Sequence, residues 1–224
     1  MQAWATGRTQ VLAPSTTRVV VGILRSVFHA AVEDRIIAFS PARGVRLPRH
    51  EKPRIVPLTV EQVQALAGAI APRCRAMVVA QAGLGLRIGE LLALRVEDVD
   101  FLRRAVRVEH QIAHNSRERV APKTPRSRRV IPLPEVVAVE LARHIERFPP
   151  GPGGELFVME HGRVWRDDYF NARYFRKAAT AAGSPDVTTH ALRHHYASVL
   201  LAAGASVVEV AERLGHDNAT QVIQ

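Results

Sequence analysis

Residues 46–57 read "RLPRHEKPRIVP", with prolines at 48, 53 and 57. Proline has no backbone N–H and fixes φ, so this spacing excludes both a helix and an inner strand. Mostly polar neighbours make the stretch an extended linker. The chain therefore divides into residues 1–48, a linker at 49–57, and a larger domain at 58–224. In the first piece the spacing of Val20, Leu24, Val27 and Ala31 predicts a helix over 15–37, capped by Ser15 or Thr16. Ser40 and Pro41 are placed as a cap and first-turn pair for a further helix. About one and a half helices cannot bury a core alone. The piece reads as the tail of a helical domain whose start lies outside the chain.

The larger segment is punctuated differently. "LTVEQVQAL" carries a capping box, Thr59 with Gln62, opening a helix to about Ala69. A second helix is expected at 73–82, interrupted by "GLGL" and resumed as "RIGELLAL". The alternating runs "VDF", "AVRVEHQIA" and "RRVIPL" predict a small three-stranded antiparallel sheet. "PEVVAVELARHIERF" is a helix, "PPGPGG" a loop and "ELFV" a short strand. Helices follow at 167–182, 189–203 and 207–214, with Gly183, Gly204 and Gly215 as stops. The expected class is mainly α (α+β): a helical domain with a small sheet, preceded by part of a helical domain.

Charge narrows the partners. Lys and Arg total 31 against 21 acidic residues, a net charge of +10. Such a surplus favours polyanions. Only Lys52, Lys123 and Lys177 are lysines. Compositional bias explains an arginine excess, but not where each arginine sits or why these lysines remain. Apolar residues make up 47% of the chain, enough for a core. No run reaches the roughly 18 apolar residues of a membrane span, and the N-terminus lacks the apolar core of a secretory signal. The single cysteine, Cys74, fits a reducing cytoplasm and reads as a core filler.

Four pieces carry chemistry. In "THALRHHYA" His190 and Arg193 share a helix face, which suits an anionic oxygen. His190 and His194 also have the spacing of a metal pair. Ala191 stands where a metalloprotease needs Glu, however, and the Arg193 charge repels a dication. In "GLGLRIGELLALRVEDVD" Arg87 enters the first turn of a helix, where backbone N–H groups favour an anion. Glu90, three residues on, can fix the guanidinium's direction. In "APKTPRSRRVIPLP" Lys123 occupies a turn between strands and is compatible with a general acid, because lysine, unlike arginine, can release its proton. Arg126, Arg128 and Arg129 beside it read as phosphate contacts. His216 follows "RLG" at a helix junction, 23 residues past Arg193. Each piece alone also reads blandly, as an amphipathic helix face, a surface ion pair or a solvated basic turn.

Together, in this order and spacing, the four pieces resemble the tyrosine recombinase (phage integrase) family, with 58–224 as its catalytic domain and 1–48 as the end of its core DNA-binding domain. The resemblance implies attack by a tyrosine hydroxyl on a DNA phosphodiester, giving a 3′-phosphotyrosine link and a free 5′-hydroxyl. A second 5′-hydroxyl reverses the step. Neither ATP nor a metal or other cofactor is implied. Arg87 and Arg193 would clamp the non-bridging oxygens and Lys123 would protonate the leaving oxygen. His190 would relay the tyrosine proton, and His216 would donate to a non-bridging oxygen.

The family's tyrosine follows "LGH" by about nine or ten residues, and Gln224 is eight past His216. The nucleophile is therefore expected just beyond Gln224. Tyr169, Tyr174 and Tyr196 do not match its motif. The implied partner is a double-stranded DNA recombination site, bound by a homotetramer in the cytoplasm. The alternatives are a non-catalytic DNA-binding remnant, a type IB topoisomerase, and a histidine metallohydrolase.

Overall fold

The computed structural model describes residues 1–48, 56–122 and 124–215. The chain forms two compact units, residues 1–55 and 56–224. In the first, α1 (Gln2–Val11) and α2 (Pro14–Glu33) are separated by Ala13-Pro14, where proline starts the second helix. α2 is the helix expected over 15–37, and α1 precedes it where no helix was expected. Gly7 and the lack of a side-chain cap hide α1 from a pattern reading. Arg35, at φ 58°, ends α2 earlier than the periodicity suggests. No helix follows Ser40-Pro41. The Ser40 hydroxyl instead accepts from the Ala42 N–H in a turn closed by Gly44. The core is small, built on Ala5, Val21 and Val45, while Val19, Ile23 and Val27 form an exposed apolar stripe on α2. Gln2 clips the ends together, donating to the Arg46 carbonyl (3.0 Å) and accepting its N–H (2.9 Å).

In the second unit, α3 (Val60–Ala69) begins with the expected capping box between Thr59 and Gln62. Then come α4 (Pro72–Leu84) and the short α5 (Ile88–Leu92). The strands are β1 (Val99–Asp100), β2 (Ala105–Val108), β3 (Gln111–Ile112), β4 (Arg119–Val120) and β5 (Arg129–Pro132). β1, β2 and β5 form the predicted antiparallel sheet, with Val106 opposite Ile131. "AVRVEHQIA" is not one strand, however. It breaks at Glu109-His110, and its second half pairs with β4 as a separate hairpin. "ELFV" forms only isolated backbone bridges, although Leu156, Phe157 and Val158 are buried.

After α6 (Glu135–Arg147), the segment predicted as one helix from 167 is α7 (Asp167–Phe170), a π-helical turn over Asn171–Phe175, and α8 (Arg176–Ala181). α9 (Thr189–Ala202) and α10 (Val207–Leu214) complete the unit. α4 is the hub. It is buried on nearly every side by small and medium residues (Cys74, Ala76, Met77, Ala80, Ala82), which lets α3, α6 and α9 approach closely. Burial raises the Cys74 thiol pKa to about 12, so it behaves as an inert core group. No helix among the described residues is long and apolar enough to cross a membrane.

Candidate active site

α4 ends at Gly85, whose left-handed backbone (φ 64°) turns the chain into Leu86 and Arg87. A side chain here is excluded twice. The φ disfavours an L residue, and a Cβ would lie 2.3 Å from Cδ1 of Tyr196. The turn places Arg87 as N-cap of α5 and Glu90 in its first turn. Glu90 is 1% exposed, and its carboxylate is the hub of the site. It accepts the Arg87 backbone N–H at Oε2 (2.9 Å) and Arg87 Nη1 at Oε1 (2.8 Å). Arg129 adds a fork, Nη1 to Oε1 at 3.1 Å and Nη2 to Oε2 at 2.8 Å. Burial alone raises the Glu90 pKa, but the bonds and charges of Arg129 and Arg87 carry it below its ordinary 4.5.

Arg193 comes from the middle of α9 and is 2% exposed. Its Nη1 donates to the Gly85 carbonyl and its Nη2 to the Leu214 carbonyl, both at 2.6 Å. Burial, then the Arg87 charge, pushes its pKa down to about 9, so it stays charged at neutral pH. α10 ends in a left-handed Gly215 (φ 66°), and its last carbonyls converge on the cluster. The Arg213 carbonyl accepts from Arg129 Nε (2.7 Å), Leu214 from Arg193, and Gly215 from Arg87 Nη2 (3.0 Å). Three guanidiniums from three elements thus meet the negative end of one helix.

Of the sequence-predicted residues, the structure brings together Arg87, Glu90 and Arg193. His190 lies exposed in the first turn of α9, with its ring 4.6 Å from that of His194. Desolvation, then His194, Arg193 and Arg87, lower its pKa from 6.5, which favours a neutral imidazole at pH 7. Lys123 and His216 lie outside the described residues. Arg126 and Arg128 are exposed on the loop before β5. Arg129, read from the sequence as a third residue of that kind, points inward instead: its side chain is 7% exposed and gripped by Glu90. A signal for this was present, since Arg129 shares a strand face with the fully buried Ile131.

Of the three tyrosines, one is buried beside the cluster and two lie away from it. Tyr196 is 6% exposed, packs against Gly85, and bonds Arg213 with its hydroxyl. Tyr169 and Tyr174 line a cavity at the start of α4, beside Trp165. Thirteen helical residues, about 20 Å, separate that end from Gly85. Among the described residues, no group of three or more His, Cys, Asp or Glu is placed to hold a metal ion.

This chain and its fold have relatives. Residues 57–224 match the phage integrase family. The integrase of Mycobacterium phage D29 is 30% identical over 223 residues, covering 96% of this chain and 59% of its own length. Tyrosine recombinase XerD of Pseudomonas putida is 29% identical over 215 residues, covering 91% of this chain and 67% of its own. The chain thus spans under two thirds of the D29 integrase. The Tn1549 transposon integrase, solved in complex with transposon right end DNA, matches with a TM-score of 0.85 and 25% identity, over 99% of this chain and 78% of that one. A lambda integrase dimer bound to a core site shares the fold, with a TM-score of 0.78 and 17% identity over 99% of this chain and 63% of that one. The class these observations define is a mainly helical domain with a small antiparallel sheet and a cluster of arginines around a buried carboxylate. The chain belongs to the phage integrase family.

Proposed function

We propose that this chain is the DNA-cleaving portion of a site-specific recombinase that works through a 3′-phosphotyrosine intermediate. The observation that supports it is the shared mounting of Arg87 and Arg193. Both come from family motifs and meet on the Gly85–Glu90 turn and the end of α10. In the transition state of phosphoryl transfer, extra negative charge sits on two non-bridging oxygens. Preorganised guanidiniums placed there cost no reorganisation as the charge develops. Arg87 and Arg193 bind those oxygens. His190, neutral at pH 7, can take the proton of the attacking hydroxyl. Lys123 protonates the leaving 5′-oxygen and His216 donates to a non-bridging oxygen, on the strength of the family motifs. The bond energy is held in the phosphotyrosine, so rejoining asks for no ATP and no cofactor.

The nucleophile is a tyrosine other than Tyr169, Tyr174 and Tyr196, because one is buried against Gly85 and two line a cavity at the far end of α4. Residues 1–48 serve as the end of a core DNA-binding domain, the partner is duplex DNA in the cytoplasm, and the working form is a homotetramer. The same tyrosine geometry favours a second reading for the 224 residues taken alone, a DNA-binding module without cleavage. A suicide substrate separates the two. A polypeptide continued past Gln224 through the expected tyrosine forms a covalent adduct, and the 224-residue chain forms none. An adduct on the shorter chain would mean that the nucleophile is misassigned.

A further inference from the structure

Glu90 has no hydrogen-bonding capacity left. A carboxylate offers about four lone-pair sites. Here two go to Arg87, through its backbone N–H and Nη1, and two to the Arg129 fork. Arg193 Nη1 lies 4.0 Å from Oε2, near enough to feel the charge and too far for a hydrogen bond. Its bonds run instead to the carbonyls of Gly85 and Leu214. Carbonyls orient a guanidinium without neutralising it. One carboxylate therefore faces three guanidiniums, and among the described residues the cation of this cluster left without a hydrogen-bonded counter-ion is Arg193.

We propose that Arg129 is a positioning residue that saturates Glu90 and so keeps the charge of Arg193 available to a phosphate. This rests on the recombinase reading above and deepens it. Without the fork, two lone pairs of a buried carboxylate stand open beside Arg193. An unsatisfied buried charge is costly, so Arg193 would turn from its carbonyls and pair with Oε2. The clamp would then lose both the charge and the direction of one arm. Arg129 also has a second grip, through Nε to the Arg213 carbonyl (2.7 Å), next to the carbonyl that orients Arg193. Gly215 leaves room for it: a Cβ there would lie 3.0 Å from Arg129 Nη1. One side chain thus ties β5, the α5 carboxylate and the end of α10 into one unit.

The test uses the 224-residue chain, with inorganic phosphate as the probe and the phosphate-induced rise in melting temperature as the readout, at constant ionic strength. Arg87→Gln sets the baseline for non-specific binding to a basic protein. The wild type should exceed it. Arg129→Met should bind phosphate about tenfold more weakly while keeping the wild-type circular dichroism. Glu90→Gln combined with Arg129→Met should recover most of the binding, because no carboxylate remains to capture Arg193. Arg129→Lys should not recover it, since an ammonium cannot fill both lone pairs and also reach Arg213; should Arg129→Met fail to fold, this variant carries the test. Wild-type binding in Arg129→Met or in Arg129→Lys would overturn the inference. Loss that persists in the double variant would also overturn it, by making Arg129 itself a phosphate ligand. A wild-type rise no larger than that of Arg87→Gln would remove the clamp reading itself, and this inference with it.

Discussion

Arg87 holds Glu90 from two directions, its backbone N–H on one carboxylate oxygen and its Nη1 on the other. The catalytic candidate and the anchor that orients it are thus three residues apart on one helical turn. The carboxylate also compensates Arg129, whose side chain is 7% exposed. Glu90→Ala should therefore destabilise the domain by about 3–5 kcal/mol, the usual cost of leaving a buried charge without its partner. Glu90→Gln, which keeps the shape and some acceptor capacity, should cost less. Denaturant unfolding of both variants measures the difference.

Stability should fall in acid in two stages. The folded pKa values of His190, His194, His144 and His110 are all lowered from 6.5, in each case by desolvation first. The unfolded chain binds these protons at higher pH than the folded one, so stability is full above 6.5 and declines as pH drops towards the folded values. Glu90 is also lowered, from 4.5, so its contribution is full above that pH and is lost only below it. Melting temperature against pH should show both slopes. Replacing His190 and His194 by Asn should flatten part of the first and leave the second unchanged.

Gly85→Ala should be among the most damaging small substitutions. The added methyl meets Tyr196 at 2.3 Å in a backbone conformation that L residues disfavour. Left-handed strain costs about 1–2 kcal/mol and overpacking a further 1–3 kcal/mol. Because the Gly85 carbonyl also orients Arg193, phosphate binding should fall in those molecules that still fold. Wild-type phosphate affinity in a folded Gly85→Ala protein would mean that this carbonyl does not set the position of Arg193.

DNA binding should be steeply salt-dependent, with log K falling by roughly 0.9 per decade of salt for each phosphate neutralised. Arg126 and Arg128 are exposed, so Ala at either should reduce the slope by about one contact. Filter-binding titrations read this directly, and a slope unchanged in both variants would remove them from the DNA surface.

The capping box at Thr59 and Gln62, the three-stranded sheet and the glycine stops were all legible, because each depends on local chemistry. The β3–β4 hairpin was not, because its strands are two residues each, too short for alternation to register. Nor was α1, since Gly7 and an uncapped start leave it with little pattern. At the site, the motif spacing pointed to Arg87 and Arg193, and the helix turn to Glu90. What no spacing could reveal was the contribution of the α10 carbonyls, which depends on where a helix end lands in space. Arg129 lay between these cases. Its strand alternation marked it as inward, but its basic neighbours made it look like surface.

The central claim is that Arg87 and Arg193 act on one scissile phosphate. It is tested most directly by single-turnover cleavage of a nicked suicide duplex carrying the recombination site. The protein should be continued past Gln224 through the proposed tyrosine and carry Arg87→Ala or Arg193→Ala. Each substitution should slow covalent adduct formation by about 100-fold or more, the usual loss when one preorganised donor is removed. Filter binding to the same duplex should change by less than about tenfold, because two contacts among many carry little of the salt-dependent affinity. Wild-type cleavage rates in either variant would contradict the account.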